Sequence, residues 1–101
     1  MIKTRYILLA ASGIEAQEFI NRATGGNRAG IVVVTNSATM ADTVDAPQGT
    51  PWYVEPNGRL NEEQKLCYQS LEQRLGPVWS GVAFVQALAQ NFGAHRRLVK
   101  G

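Results

Sequence analysis

Apolar positions gather in two dense runs near the start of the chain, Tyr6-Ile7-Leu8-Leu9-Ala10-Ala11 and, after a polar interval, Gly30-Ile31-Val32-Val33-Val34. Both runs have strand length, and continuous rather than alternating apolarity marks strands buried on both faces. Between them Ala16, Phe19, Ile20 and Ala23 recur at helical spacing and form one apolar stripe. Ser12 and Glu15 make a capping box at the start of that helix. Glu15 and Glu18 near its beginning and Arg22 near its end suit the helix dipole, and Gly25-Gly26 supplies the stop. The chain thus opens on a strand–helix–strand unit, whose crossover is right-handed if the two strands run parallel.

Residues 35–50 have no convincing period and are rich in Thr, Asp, Ala and turn formers. A connection this long in a small domain is usually functional or mobile. Pro51-Trp52-Tyr53-Val54 predicts a third strand, with proline at its start or the strand at an edge. Pro56-Asn57-Gly58 is a turn signal. Asn61 caps a second long helix whose inner stripe is Gln64, Cys67/Tyr68, Leu71 and Leu75, and Gly76-Pro77 ends it. The next stretch supports two readings. Val78, Ser80, Val82 and Phe84 alternate as in a strand, whereas Ser80-Gly81 ahead of Phe84, Val85, Leu88, Ala89 and Phe92 reads as a capped helix over 81–92, ended by Gly93.

These elements predict an α/β fold of the two-layer α+β kind, in the order β-α-β-β-α-α around a small mixed sheet. The alternative is a ferredoxin-like β-α-β-β-α-β split sandwich, if 78–84 is a strand. One domain covers residues 1–93, and residues 94–101 form a basic C-terminal tail.

Composition narrows the class. The chain has 101 residues, 45% hydrophobic and 18% charged, which suits one globular core. No apolar run approaches the roughly 20 residues that span a bilayer, so no membrane partner is expected. Lys3 and Arg5 ahead of the first apolar run form a faint leader-like pattern, but cleavage there would remove the first strand. Cys67 is the one cysteine, which excludes an internal disulfide and fits a reducing, cytoplasmic setting. The net charge of +2 is unevenly spread: residues 29–58 carry Asp42, Asp45 and Glu55 with no Lys or Arg, while residues 73–101 carry Arg74, Arg96, Arg97 and Lys100 with no acid.

Candidate chemistry is sparse. Ser12-Gly13 at a strand-to-helix turn offers free N–H groups to an anion. Thr35, Asn36, Ser37 and Thr39 follow the second strand and would stand beside Ser12 if the strands are parallel, at the usual ligand crevice of open sheets. No dinucleotide or Walker glycine pattern is present, so no nucleotide cofactor is expected. Asp42 and Asp45 begin a cation site but no third ligand follows, and no metal is expected. His95, the one histidine, sits beside Arg96 and Arg97 in a poor place for acid–base work. Cys67 lacks a C-x-x-C partner and reads as a small core residue. Trp52 and Tyr53 face opposite ways on a strand, so one of them could join Asp42 and Asp45 in a partner surface.

The leading expectation is a non-catalytic binding or interaction protein, of accessory or inhibitor type such as phages and mobile elements encode. It would act through loop 36–50 and the adjacent strand ends on a protein partner or a small anionic or nucleotide-like ligand. A small domain with an edge strand could also form a homodimer by sheet pairing or helix packing. One alternative is a nucleic-acid regulator using Arg96, Arg97 and Lys100. The other is a small hydrolase using the hydroxyl-rich crevice, with Asp42 or Asp45 as base.

Overall fold

A computed structural model describes residues 4–28, 30–55 and 59–100, with residues 91–100 as helical backbone only. Three strands, β1 (Tyr6–Leu9), β2 (Ile31–Val34) and β3 (Trp52–Val54), form one sheet in the order β2-β1-β3. β1 pairs in parallel with both neighbours, Tyr6 opposite Ile31 and Ile7 opposite Trp52. The sheet is therefore parallel throughout the described residues, where a mixed sheet was expected. The reason lies in the connections: β2 and β3 are joined by a 17-residue-scale crossover rather than a hairpin, and long crossovers join parallel strands.

Among the described residues four helices cover the sheet. α1 (Gly13–Thr24) and α4 (Gly81–Lys100) pack on one face, where Phe19, Ile20, Phe84 and Leu88 meet Tyr6, Leu8 and Ile31. α3 (Glu62–Leu75) covers the other, where Cys67, Leu71 and Leu75 meet Ile7, Leu9, Val34 and Trp52. Short α2 (Ser37–Met40) joins this second face through Met40. Two covered faces make three layers in place of two. The step from β1 to β2 passes over one face and the opposite step, from β2 to β3, over the other, so both crossovers have the same hand.

Local signals explain the helix limits. The Ser12 hydroxyl accepts from the Glu15 N–H at 3.3 Å, and Gly25 adopts a left-handed φ of 72° as its N–H donates to the Asn21 carbonyl. Gly30, at φ 80°, starts β2; a Cβ there would sit 3.2 Å from the Arg5 side chain. Residues 78–80 are not a strand and α4 begins at Gly81, which removes the ferredoxin-like alternative. The Ser80 hydroxyl accepts from the Ala83 N–H at 3.1 Å, a cap that fits the helical reading. On α4 Phe84 and Leu88 of the expected stripe are buried and Val85 and Ala89 are exposed, while the Phe92 side chain lies outside the described residues. The helix continues through Gly93 to Lys100, because the strong helix formers after Gly93 outweigh one glycine's cost of about 1 kcal/mol. The Pro56-Asn57-Gly58 turn lies outside the described residues.

Phe84 joins the two helices of its face to the sheet, with ring centroids 5.4 Å from Tyr53, 6.1 Å from Phe19 and 6.2 Å from Tyr6. Phe84→Ala should lower unfolding free energy by about 3–5 kcal/mol, whereas Val82→Ala, on the exposed side of the same helix, should change it by less than about 0.5 kcal/mol. Urea denaturation of the two variants checks this, and equal effects would take α4 out of the core.

Candidate functional site

The carboxyl ends of β1 and β2 hold most of the expected ligand residues. Ser12 follows β1 as the cap of α1, and its hydroxyl is shared with Glu15 through the backbone N–H and Oε2, both at 3.3 Å. Gly13 is exposed, and a Cβ there would meet nothing within 4 Å, so the position makes no cradle that only glycine allows. After β2, Thr39 Oγ1 accepts from the Thr35 N–H at 2.9 Å and the Asn36 N–H at 3.1 Å, while Asn36 Oδ1 accepts from the Thr39 N–H at 2.9 Å. The Ser37 N–H donates to Glu63 Oε2 at 2.8 Å. Hydrogen bonding from the Ser37 side chain, with this backbone N–H adding to it, holds the exposed Glu63 carboxyl below the usual carboxylate range. An anion arriving at α2 would meet this carboxylate already in place.

Gln64, a residue of the α3 stripe, ties these ends together. Its Oε1 accepts from the Asn61 N–H at 2.9 Å, closing a capping box, and its Nε2 donates to Ala11 O at 3.0 Å and to Thr35 O at 2.8 Å. One buried amide therefore fixes the chain leaving β1, the chain leaving β2 and the start of α3. Asn61 three residues before Gln64 announces the capping box; the two remote carbonyls carry no local sequence signal.

Asp42 and Asp45 lie at the opposite end of the sheet. Asp45 accepts from the Thr4 hydroxyl at 2.6 Å and the Thr4 N–H at 3.2 Å, and the Thr4 hydroxyl also approaches Asp42 O at 3.3 Å. Thr4 precedes β1 and Ser12 follows it, so the four residues of β1, about 13 Å of strand, separate the carboxylates from Ser12. Ser12 and these two aspartates therefore stand at different ends of the sheet.

Segment 36–50 is ordered rather than irregular. It contains α2 and a 3-10 turn at Ala41–Thr43. Arg74 Nη2 donates to Thr43 O at 2.8 Å, and the Gly49 N–H donates to Leu75 O at 3.2 Å, which moors the segment to the end of α3. The Thr43 and Thr50 hydroxyls donate to the Met40 and Pro47 carbonyls at 2.8 and 2.6 Å.

Trp52 is fully buried, with its Nε1 donating to Gly76 O at 3.0 Å, and offers no partner surface. Tyr53 is half-buried between Phe19 and Phe84, and burial pushes its hydroxyl up, with the Glu55 carboxylate adding to the shift. Both faces of β3 are covered, which is why neither aromatic projects as expected. The Arg96, Arg97 and Lys100 side chains lie outside the described residues.

The surface that remains runs along the free edge of β2. A groove of about 800 Å³ there is lined by Arg28, Val32, Val33, Thr39, Asp42 and Val44, among others. Val44 is 81% exposed and Val32 and Val33 are half-buried, so apolar side chains share this groove with charged ones. A second groove of about 700 Å³ lies between the amino ends of β1 and β3 and α4, lined by Arg5, Gln48, Thr50 and Gln90 with others. Among the described residues no group of three metal-ligating side chains comes together, and no helix is long and apolar enough to cross a membrane.

Gln64→Leu would strand two carbonyls and lose the capping box, at a cost of about 2–5 kcal/mol in unfolding free energy. Thermal and urea denaturation measure it, and a loss below about 0.5 kcal/mol would show that the strand ends hold without this amide. Burial pushes the Cys67 thiol up, with the Glu63 carboxylate adding to the shift, so the thiolate is scarce at neutral pH. Iodoacetamide should label Cys67 only after denaturation; rapid labelling of the folded chain would contradict the burial.

The chain matches no protein-family model, no curated protein and no solved structure.

Proposed function

We propose that this chain is a non-catalytic binding protein, an accessory or inhibitor that acts by occupying a protein partner. Its working surface is the β2 edge together with crossover segment 36–50. The observation that carries this reading is the groove of mixed character beside β2, where Val44 stands 81% exposed next to half-buried Val32 and Val33. Exposed apolar side chains beside an open strand edge are a docking feature rather than a catalytic one. The hydroxyl and amide groups of Thr35–Thr39 support it from the other side, since they hydrogen-bond one another. A protein partner is preferred to a small anion because Glu63 already takes the Ser37 N–H. The buried single thiol suits a reducing compartment, the cytoplasm.

A photo-reactive amino acid placed at Val44 in the producing cell tests the surface. Discrete cross-linked adducts are expected from position 44 and not from Leu66, which is 65% exposed on α3. Equal yields from both positions, or none from position 44, would overturn the reading.

A further inference from the structure

We infer that the occupant of the β2 edge is a second copy of this chain, paired antiparallel to it about a two-fold axis beside Val33. The inference rests on the reading of that edge as the working surface and names its partner. The ladder to β1 decides which backbone groups are free. The Tyr6 N–H donates to Gly30 O and the Ala10 N–H to Val34 O, both at 3.0 Å, with Leu8 opposite Val33. In a parallel pair this places the N–H and C=O of Val32 and Val34 toward β1, and those of Ile31 and Val33 toward the open edge.

The neighbours of Val33 are partly engaged. The Ile31 N–H donates to Arg28 O at 3.0 Å. The Thr35 N–H donates to Thr39 Oγ1 at 2.9 Å, and Thr35 O accepts from Gln64 at 2.8 Å. Among the described residues Val33 is thus the one residue of β2 whose outward donor and acceptor both lack a partner. A long foreign strand would meet blocked amides on either side of it. A two-fold contact needs only what is present, because Val33 and its symmetry mate exchange both N–H···O bonds.

Three further observations favour a second copy. The β3 edge is partly covered, since the Trp79 N–H donates to Trp52 O at 2.9 Å as the chain crosses it. A two-fold contact through β2 closes on itself and gives a finite pair, a six-stranded sheet in the order 3-1-2-2-1-3. Charge is complementary: antiparallel pairing carries Arg28, just before β2, to the Ser37 end of the other chain, where the Glu63 carboxylate stands exposed. The same pairing sends Asp42 and Asp45 of the two chains to opposite ends, so their carboxylates do not oppose one another.

Sedimentation and residue-resolved amide exchange on the whole chain test this. At about 100 µM, well above a Kd of about 1 µM, the species should have twice the 11.0 kDa chain mass. The Val33 amide should exchange at least about tenfold more slowly there than on dilution. Val33→Pro removes the outward N–H without touching the ladder to β1 and should give a folded monomer. Should that variant fail to fold, Arg28→Glu and Glu63→Arg decide: each alone should be monomeric, and their mixture should restore the pair. A monomeric wild type with a fast Val33 amide, or a dimer indifferent to Val33→Pro and to both charge reversals, would overturn the pairing. A monomer whose position 44 still cross-links a different protein would overturn the pairing and leave the binding function standing.

Discussion

Everything in this structure follows from the burial of β1. Ile7, Leu8 and Leu9 have no exposed surface, and the strand they form has a parallel neighbour on each side. A parallel sheet must be covered on both faces, since its crossovers lie there and its strands are apolar throughout. With three strands the cover has to come from every helix available. The chain leaves β1 over one face and returns to β3 over the other, and the last helix goes back to the first face to complete it. The order β2-β1-β3 is the arrangement that keeps the most apolar strand in the centre.

Much of this was legible along the chain. The apolar run Tyr6–Ala11, the Ser12–Glu15 capping box and the glycine stop at Gly25 are local signals, and local geometry decides them. The stripe of α3 reads the same way. Other features depend on contacts remote in sequence. The direction of β3 depends on how 36–50 crosses the sheet, and the Pro51-Trp52-Tyr53-Val54 pattern is silent on it. The alternation of Val78, Ser80, Val82 and Phe84 fits a strand until Tyr53 and Phe19 provide an aromatic socket for Phe84. Tertiary packing then selects the helix.

The expected site divides for the same reason. Segment 36–50 begins at the carboxyl end of the sheet and finishes at the amino end, so residues close in sequence serve opposite ends. Thr39 and Asn36 close a cap, Asp45 holds the entry to β1, and Arg74 fastens the middle of the segment to α3. A run of hydroxyls and carboxylates looks reactive in a sequence because sequence does not show which groups are already bonded. Gln64 illustrates the converse: its capping role is local, while its hold on Ala11 and Thr35 exists only once β1 and β2 lie side by side.

The placement of Phe84 also bears on how the chain is built. The face formed by Tyr6, Phe19, Ile31 and Tyr53 is in place once β3 has joined the sheet, yet the ring that fills its centre belongs to α4. On a ribosome the strands and the first three helices emerge first, and this aromatic face stays wet until α4 follows. The sheet therefore waits for a helix made after all of its strands, and the domain closes as a unit once α4 has followed rather than growing stepwise strand by strand.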